Sequence, residues 1–112
     1  MTDEAHFVVR LAPDAETDLA AIGAFLAEQG SPEIARNWLL KLRDAVKGLE
    51  QFPDRGSLPT ELEGAPNRGY RQISIRPYRI IYRTEGGTVL VALIADGRRD
   101  MQALLQQRLF NR

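Results

Sequence analysis

The chain has 112 residues and a mass of 12.6 kDa, with fifteen acidic and fifteen basic side chains, one histidine and no cysteine. That length suits one domain over residues 1–112 with a single modest core. The missing cysteines exclude disulfide scaffolds, thiolate metal sites and cysteine nucleophiles, and His6 alone cannot build a metal cluster, so neither metal nor cofactor is expected.

The zero net charge is unevenly spread. Residues 1–66 carry twelve acidic and six basic groups, whereas residues 67–112 carry three acidic and nine basic, all nine arginine. Arginine offers a planar fork matched to carboxylate or phosphate, so the C-terminal part is suited to an anionic partner. No apolar run approaches the roughly 20 residues that span a bilayer, and the acidic start MTDEAHF lacks a signal-peptide profile. A cytoplasmic protein is expected.

In chain order, HFVVRL over His6 to Leu11 reads as a short strand able to join a sheet. Ala12-Pro13 breaks it, and Pro13 suits the first turn of a helix. From Asp14 to Gln29 the positions Ala15, Leu19, Ile22 and Leu26 recur at helical spacing beside Phe25, with Asp14, Glu16 and Asp18 at the end where the helix dipole favours negative charge. Gly30 follows as a C′ residue. Ser31-Pro32-Glu33 then opens a second helix with Ser31 as N-cap. Its apolar face is Ile34, Trp38, Leu42, Val46 and Leu49, widened by Leu39, Ala45 and Phe52, and Pro53 ends it. The short link predicts an antiparallel helical hairpin whose apolar face covers a sheet, with Trp38 in the core.

A long loop rich in proline and glycine runs from Phe52 to Gly69, with Arg68 expected next to the arginines of the sheet. Gln72-Ile73-Ser74-Ile75-Arg76 is a strand, and Pro77, which cannot donate to a ladder, belongs in the turn after it. Tyr78 to Arg83 and Val89 to Ala95 are apolar, β-branched runs around Gly86-Gly87, a strong hairpin signal. A regular two-residue turn pairs Thr84 with Val89, Tyr82 with Val91, Ile80 with Leu93 and Tyr78 with Ala95. Alternation then places Tyr78, Ile80, Tyr82, Val91 and Leu93 on a core face. The other face collects Arg79, Ile81, Arg83, Leu90, Ala92 and Ile94. Half aliphatic and half arginine, it calls for a cover, either a partner or the C-terminal helix. Asp96-Gly97 turns the chain, and Asp100 caps a short amphipathic helix with Met101, Leu104, Leu105 and Leu109 on its stripe.

Strand, helical hairpin, proline- and glycine-rich loop, antiparallel sheet of three to four strands and short C-terminal helix make an α+β fold. That order resembles the RelE/ParE superfamily of bacterial type II toxins across nearly the whole chain. The resemblance is carried by Ala15-x-x-Asp18-Leu19-x-x-Ile22, Leu49-x-x-Phe52-Pro53-x-x-Gly56, Pro77-Tyr78-Arg79-Ile80-Ile81-Tyr82 and Gly97-Arg98-Arg99-Asp100. It implies a co-encoded antitoxin laid over hydrophobic grooves and arginine patches. The expected antitoxin surface is Arg79, Ile81, Arg83, Leu90, Ala92 and Ile94.

RelE-like members of the superfamily are ribosome-dependent mRNA endonucleases, which need an acid, a base and phosphate clamps. Arg76, Arg79 and Arg98 remain here as clamps. Gln72 and Ser74 stand where strand lysines would be, however, and Leu104 or a neighbour stands in place of a terminal tyrosine. Arginine is a poor proton shuttle at neutral pH. The resemblance therefore leans to ParE-like members, which poison DNA gyrase by binding, with a ParD-like antitoxin and no catalytic residues. A RelE-like ribonuclease is the alternative. The expected target-binding residues are Arg76, Arg98, Arg99 and Arg108, with no sequence-specific DNA binding by this chain alone.

Overall fold

A computed structural model describes residues 6–64 and 69–110. Arg68, expected beside the arginines of the sheet, lies outside the described residues. The order is β1 (Val8–Leu11), α1 (Pro13–Gln29), α2 (Pro32–Gly48), a 3-10 turn (Thr60–Leu62), β2 (Arg71–Ile75), β3 (Tyr78–Glu85), β4 (Thr88–Asp96) and α3 (Met101–Leu105). A wider π-type turn, Gln106–Phe110, continues α3.

The helix starts follow the residues that announced them. Pro13 and Pro32 occupy first-turn positions, and the Ser31 hydroxyl accepts the Ile34 N–H at 3.1 Å, satisfying one of the donors a helix start leaves free. Gly30 ends α1 without the left-handed backbone common at C′, since its φ is −124°. Space is tight there: a Cβ would lie 3.0 Å from the Leu26 carbonyl oxygen and 3.1 Å from the Ile34 side chain. Ile34 and Phe52, expected on the apolar face, are exposed instead. Trp38 packs against the core, edge-on to Tyr78 at 5.3 Å.

The sheet order is β1-β4-β3-β2. β2, β3 and β4 form the expected antiparallel meander, whereas β1 joins β4 in parallel, so the four-stranded sheet is mixed. Gly86, with φ of +58°, takes the left-handed position in the β3–β4 turn, and Glu85 pairs with Thr88 across it.

The register corrects one expectation. Thr84 does oppose Val89 and Tyr82 does oppose Val91, but a bulge follows, because the next pair is Ile81 with Leu93 and Ala92 is left over. Beyond it the parity of β4 reverses: Ile80 faces Ile94 and Tyr78 faces Asp96. Leu93, expected on the helical-hairpin face, lies on the opposite one, and Ile94 makes the converse move.

Two cores result. Ala15, Leu19, Leu42, Val46 and Leu49 of the hairpin pack on Ile73, Tyr78, Ile80, Tyr82, Val89, Val91 and Ile94. Behind the sheet, Met101, Leu105 and Leu109 cover Ile81, Leu93 and Ala95 together with Leu62 of the 3-10 turn. The central strands are thus buried on both faces over half their length, which explains why β3 and β4 read as nearly continuous apolar runs.

Candidate partner-binding face

The C-terminal helix covers only part of the sheet face behind the hairpin. Toward the β3–β4 turn it leaves open a row that crosses the strands, with Arg83 paired to Leu90 and Leu90 to Arg10. Tyr70, just before β2, brings its ring 5.6 Å below the Arg83 guanidinium. A groove of about 600 Å³ opens here, floored by Arg83, Leu90 and Ala92 and walled by Pro13 on one side and Leu109 and Phe110 on the other. Three residues expected at the antitoxin surface, Arg83, Leu90 and Ala92, therefore meet in one place.

The other three do not join them. Ile81 is buried under the C-terminal helix, and Ile94 is buried under α1 by the bulge, so neither offers surface to a partner. The Arg79 side chain is only 14% exposed and closes on Glu61 through two bonds of 2.8 and 2.7 Å, with Gln72 accepting from the same guanidinium. This hydrogen bonding holds the Glu61 carboxyl below its ordinary range against the opposing effect of burial. Arg79 thus pins the 3-10 turn to the sheet.

Arg108, expected at a target-binding surface, is likewise spent internally. Its side chain is 19% exposed, and it grips Asp18 of α1 with bonds of 3.0 and 2.9 Å while also donating to the Ala92 carbonyl at 3.0 Å. The same Asp18 carboxylate accepts the Ile94 N–H at 2.9 Å. The geometry has a simple cause. β1 ends at Leu11, and after Ala12 bonds to the Val91 carbonyl no strand covers the edge of β4. The Ala92 carbonyl and Ile94 N–H on either side of the bulge would be left bare, and the Asp18–Arg108 pair satisfies both.

Arg76, Arg98 and Arg99 cluster at the opposite end of the sheet, where the Gly97 N–H donates to the Pro77 carbonyl at 2.7 Å and ties the β2–β3 turn to the segment after β4. Arg76 and Arg99 are exposed. Arg98, 79% exposed, holds Asp96 at 2.6 and 2.9 Å and keeps that carboxyl below its ordinary range. Arg99 lines a second, smaller groove of about 310 Å³ with Phe25, Tyr78 and Ile94. Five residues of β3 separate this end from the Arg83 row, a distance of about 17 Å at strand rise.

One arrangement had no clear sequence signal. The buried Tyr82 hydroxyl accepts the Gly56 N–H at 3.0 Å and donates to the Pro53 carbonyl at 2.7 Å, locking the loop after α2. A Cβ on Gly56 would meet that hydroxyl at 2.5 Å and the Gln72 carbonyl at 2.7 Å, so only glycine fits. Burial pushes the Tyr82 phenol above its ordinary range. The Phe52-Pro53-x-x-Gly56 motif is the imprint of this lock, visible in the sequence only as a loop motif. Among the described residues no helix is long and apolar enough to cross a membrane, and no group of three or more histidine or acidic residues is placed to hold a metal ion.

Comparison with known proteins gives a consistent relationship. The profile of the ParE toxin of the type II toxin-antitoxin system, parDE, matches residues 9–101. Toxin ParE3 of Caulobacter vibrioides is 27% identical over 101 residues, covering 90% of this chain and 96% of that protein. Among solved structures, a chain of the chromosomal ParDE toxin-antitoxin system of P. aeruginosa superposes with a TM-score of 0.69 at 21% identity, over 83% of this chain and 98% of that one. The toxin-antitoxin complex RelBE2 of Mycobacterium tuberculosis gives 0.58 at 20% identity, over 81% and 98%. A mutant of E. coli toxin RelE in the free state gives 0.56 at 15%, over 88% and 92%.

Proposed function

Because the chain belongs to the ParE toxin family of type II toxin-antitoxin systems, we propose that it is a gyrase-directed toxin silenced by a ParD-like antitoxin. The observation that carries this reading is the family match, which runs from β1 into the first residue of α3 and so spans both the sheet and the arginine cluster at its end. The chemistry of the sheet supports it. Of the arginines that an RNA-cleaving reading would use as phosphate clamps, Arg79 is closed on Glu61 and Gln72. The neighbours Gln72 and Ser74 carry no group that titrates near neutral pH and so make poor general acids or bases.

The two ends of the sheet divide the work. The groove over Arg83, Leu90 and Ala92 receives the antitoxin, and the exposed Arg76, Arg98 and Arg99 at the other end face the target. Purified protein incubated with gyrase, ATP and plasmid DNA is expected to accumulate trapped double-strand cleavage, and an Arg98→Ala/Arg99→Ala variant to accumulate less. A toxic, folded protein that leaves gyrase untouched would overturn this target, and ribosome-bound mRNA cleavage would then be assayed.

A further inference from the structure

Three arginines project from the sheet and C-terminal turn on the side away from the hairpin, and they are not equally satisfied. Arg79 has both oxygens of Glu61 and the Gln72 side chain. Arg108 has both oxygens of Asp18 and the Ala92 carbonyl. Each guanidinium meets both oxygens of a carboxylate and one further acceptor. Arg83, in the floor of the groove, has much less. One terminal nitrogen reaches a single oxygen of Glu85 at 2.8 Å, and its buried Nε has no hydrogen-bond partner. Glu85 is two residues along the same strand at the edge of the hairpin turn and 63% exposed. Such a pair is screened and weak.

From this contrast we infer that the groove is a subsite for one carboxylate of a protein partner, an aspartate or glutamate flanked by apolar side chains in a short extended segment. The proposal rests on the antitoxin reading above and specifies the chemistry of the partner. The incoming carboxylate takes Arg83 in the forked geometry that Arg79 and Arg108 already show with their own partners, and Glu85, which holds the place with one oxygen, swings out to water. Cation–π attraction to the Tyr70 ring, 5.6 Å away, helps hold the guanidinium in place in advance, so less ordering remains to be done on binding. Leu90 and Ala92 on one side of Arg83, with Leu109 beyond them, and the Tyr70 ring on the other side offer apolar contact to the flanking residues. An extended chain presents alternate residues to one face, so the partner's signature is apolar, any, acidic, any, apolar. A groove that accommodates only a few residues gains nothing from helix nucleation, which favours the extended form.

The test uses the intact protein and three fluorescent acetylated heptapeptides of the form Ser-Leu-Ser-X-Ser-Leu-Ser, in which X is glutamate, glutamine or lysine and shares one face with both leucines. The glutamate peptide is expected to bind at least about tenfold more tightly than the other two, with an affinity that falls with salt. Arg83→Gln should remove that preference, and Glu85→Gln, at a position 63% exposed, should strengthen binding about two- to fivefold by removing the competing carboxylate. Equal binding of the glutamate and glutamine peptides would overturn the inference, leaving a merely apolar groove. So would absence of binding to all three, or a glutamate preference that survives Arg83→Gln. Each of those results leaves the gyrase assay, which uses neither the peptides nor Arg83, to judge the toxin reading independently.

Discussion

The Asp18–Arg108 pair is expected to be the strongest single polar anchor of the C-terminal segment. In Asp18→Ala the Arg108 guanidinium loses two charge-assisted bonds and the Ile94 N–H loses its acceptor. Breaking a fully buried pair from one side costs about 3–5 kcal/mol, and an orphaned backbone donor about 1–3 kcal/mol. Here the side chains are 19% and 13% exposed, and Arg108 keeps the Ala92 carbonyl and can turn to Asp14, 3.8 Å away. The net expectation is therefore about 3 kcal/mol, a large share of the total for a domain of this size. In thermal denaturation it corresponds to a fall in Tm of about 12 °C. Hydrogen exchange should quicken at Ile94 and over Met101 to Leu109. In 1 M salt the loss should shrink only slightly, because the pair is shielded from solvent ions. An Arg108→Met change should be about as costly alone yet add little to Asp18→Ala, a coupling of about 2 kcal/mol. A Tm within 3 °C of the parent, or two single effects that simply add, would refute the claim that these side chains complete the edge of β4.

Two other predictions concern buried polar contacts. Tyr82→Phe keeps the ring but strands the Gly56 N–H and the Pro53 carbonyl, at a cost of about 1–3 kcal/mol measured by urea denaturation; limited proteolysis should then cut first near residues 53–57. In acid, Glu61 sets a sign. Its carboxyl titrates lower in the folded chain than in the unfolded one, so its contribution is present above the ordinary glutamate value of 4.5 and is lost as pH falls through the folded value. Stability followed below pH 5 should therefore decline less steeply in Glu61→Gln than in the parent, and parallel curves would show that the Arg79 contact carries no linkage.

Much of the fold was legible because each element obeys a local rule. Pro13 and Ser31-Pro32 mark helix starts through the backbone donors left free there, and Gly86-Gly87 marks a hairpin because that turn demands positive φ. Asp100 caps α3 through the Ala103 N–H at 3.1 Å, as its position suggests. These are statements about neighbours a few residues apart, which a sequence records directly. The bulge at Ala92 is different. The run Val89 to Ala95 is apolar at both parities, so no alternation shows where one residue is skipped, and only packing against two cores decides that Leu93 turns to the C-terminal helix and Ile94 to α1.

Charge behaved the same way. The concentration of arginine after residue 67 is plain in the sequence, yet whether an arginine serves the fold or stays free depends on partners far along the chain. Arg108 finds Asp18 across ninety residues and Arg79 finds Glu61 across eighteen, whereas Arg83 is left with a neighbour two residues away. Those separations are set by the crossing of α1 over the bare edge of β4 and by the return of the 3-10 turn beneath β3. Composition determined that a cationic, half-apolar face would exist. Tertiary packing decided how little of it remains open, because a guanidinium taken out of water must be matched by acceptors that the fold alone can bring to it.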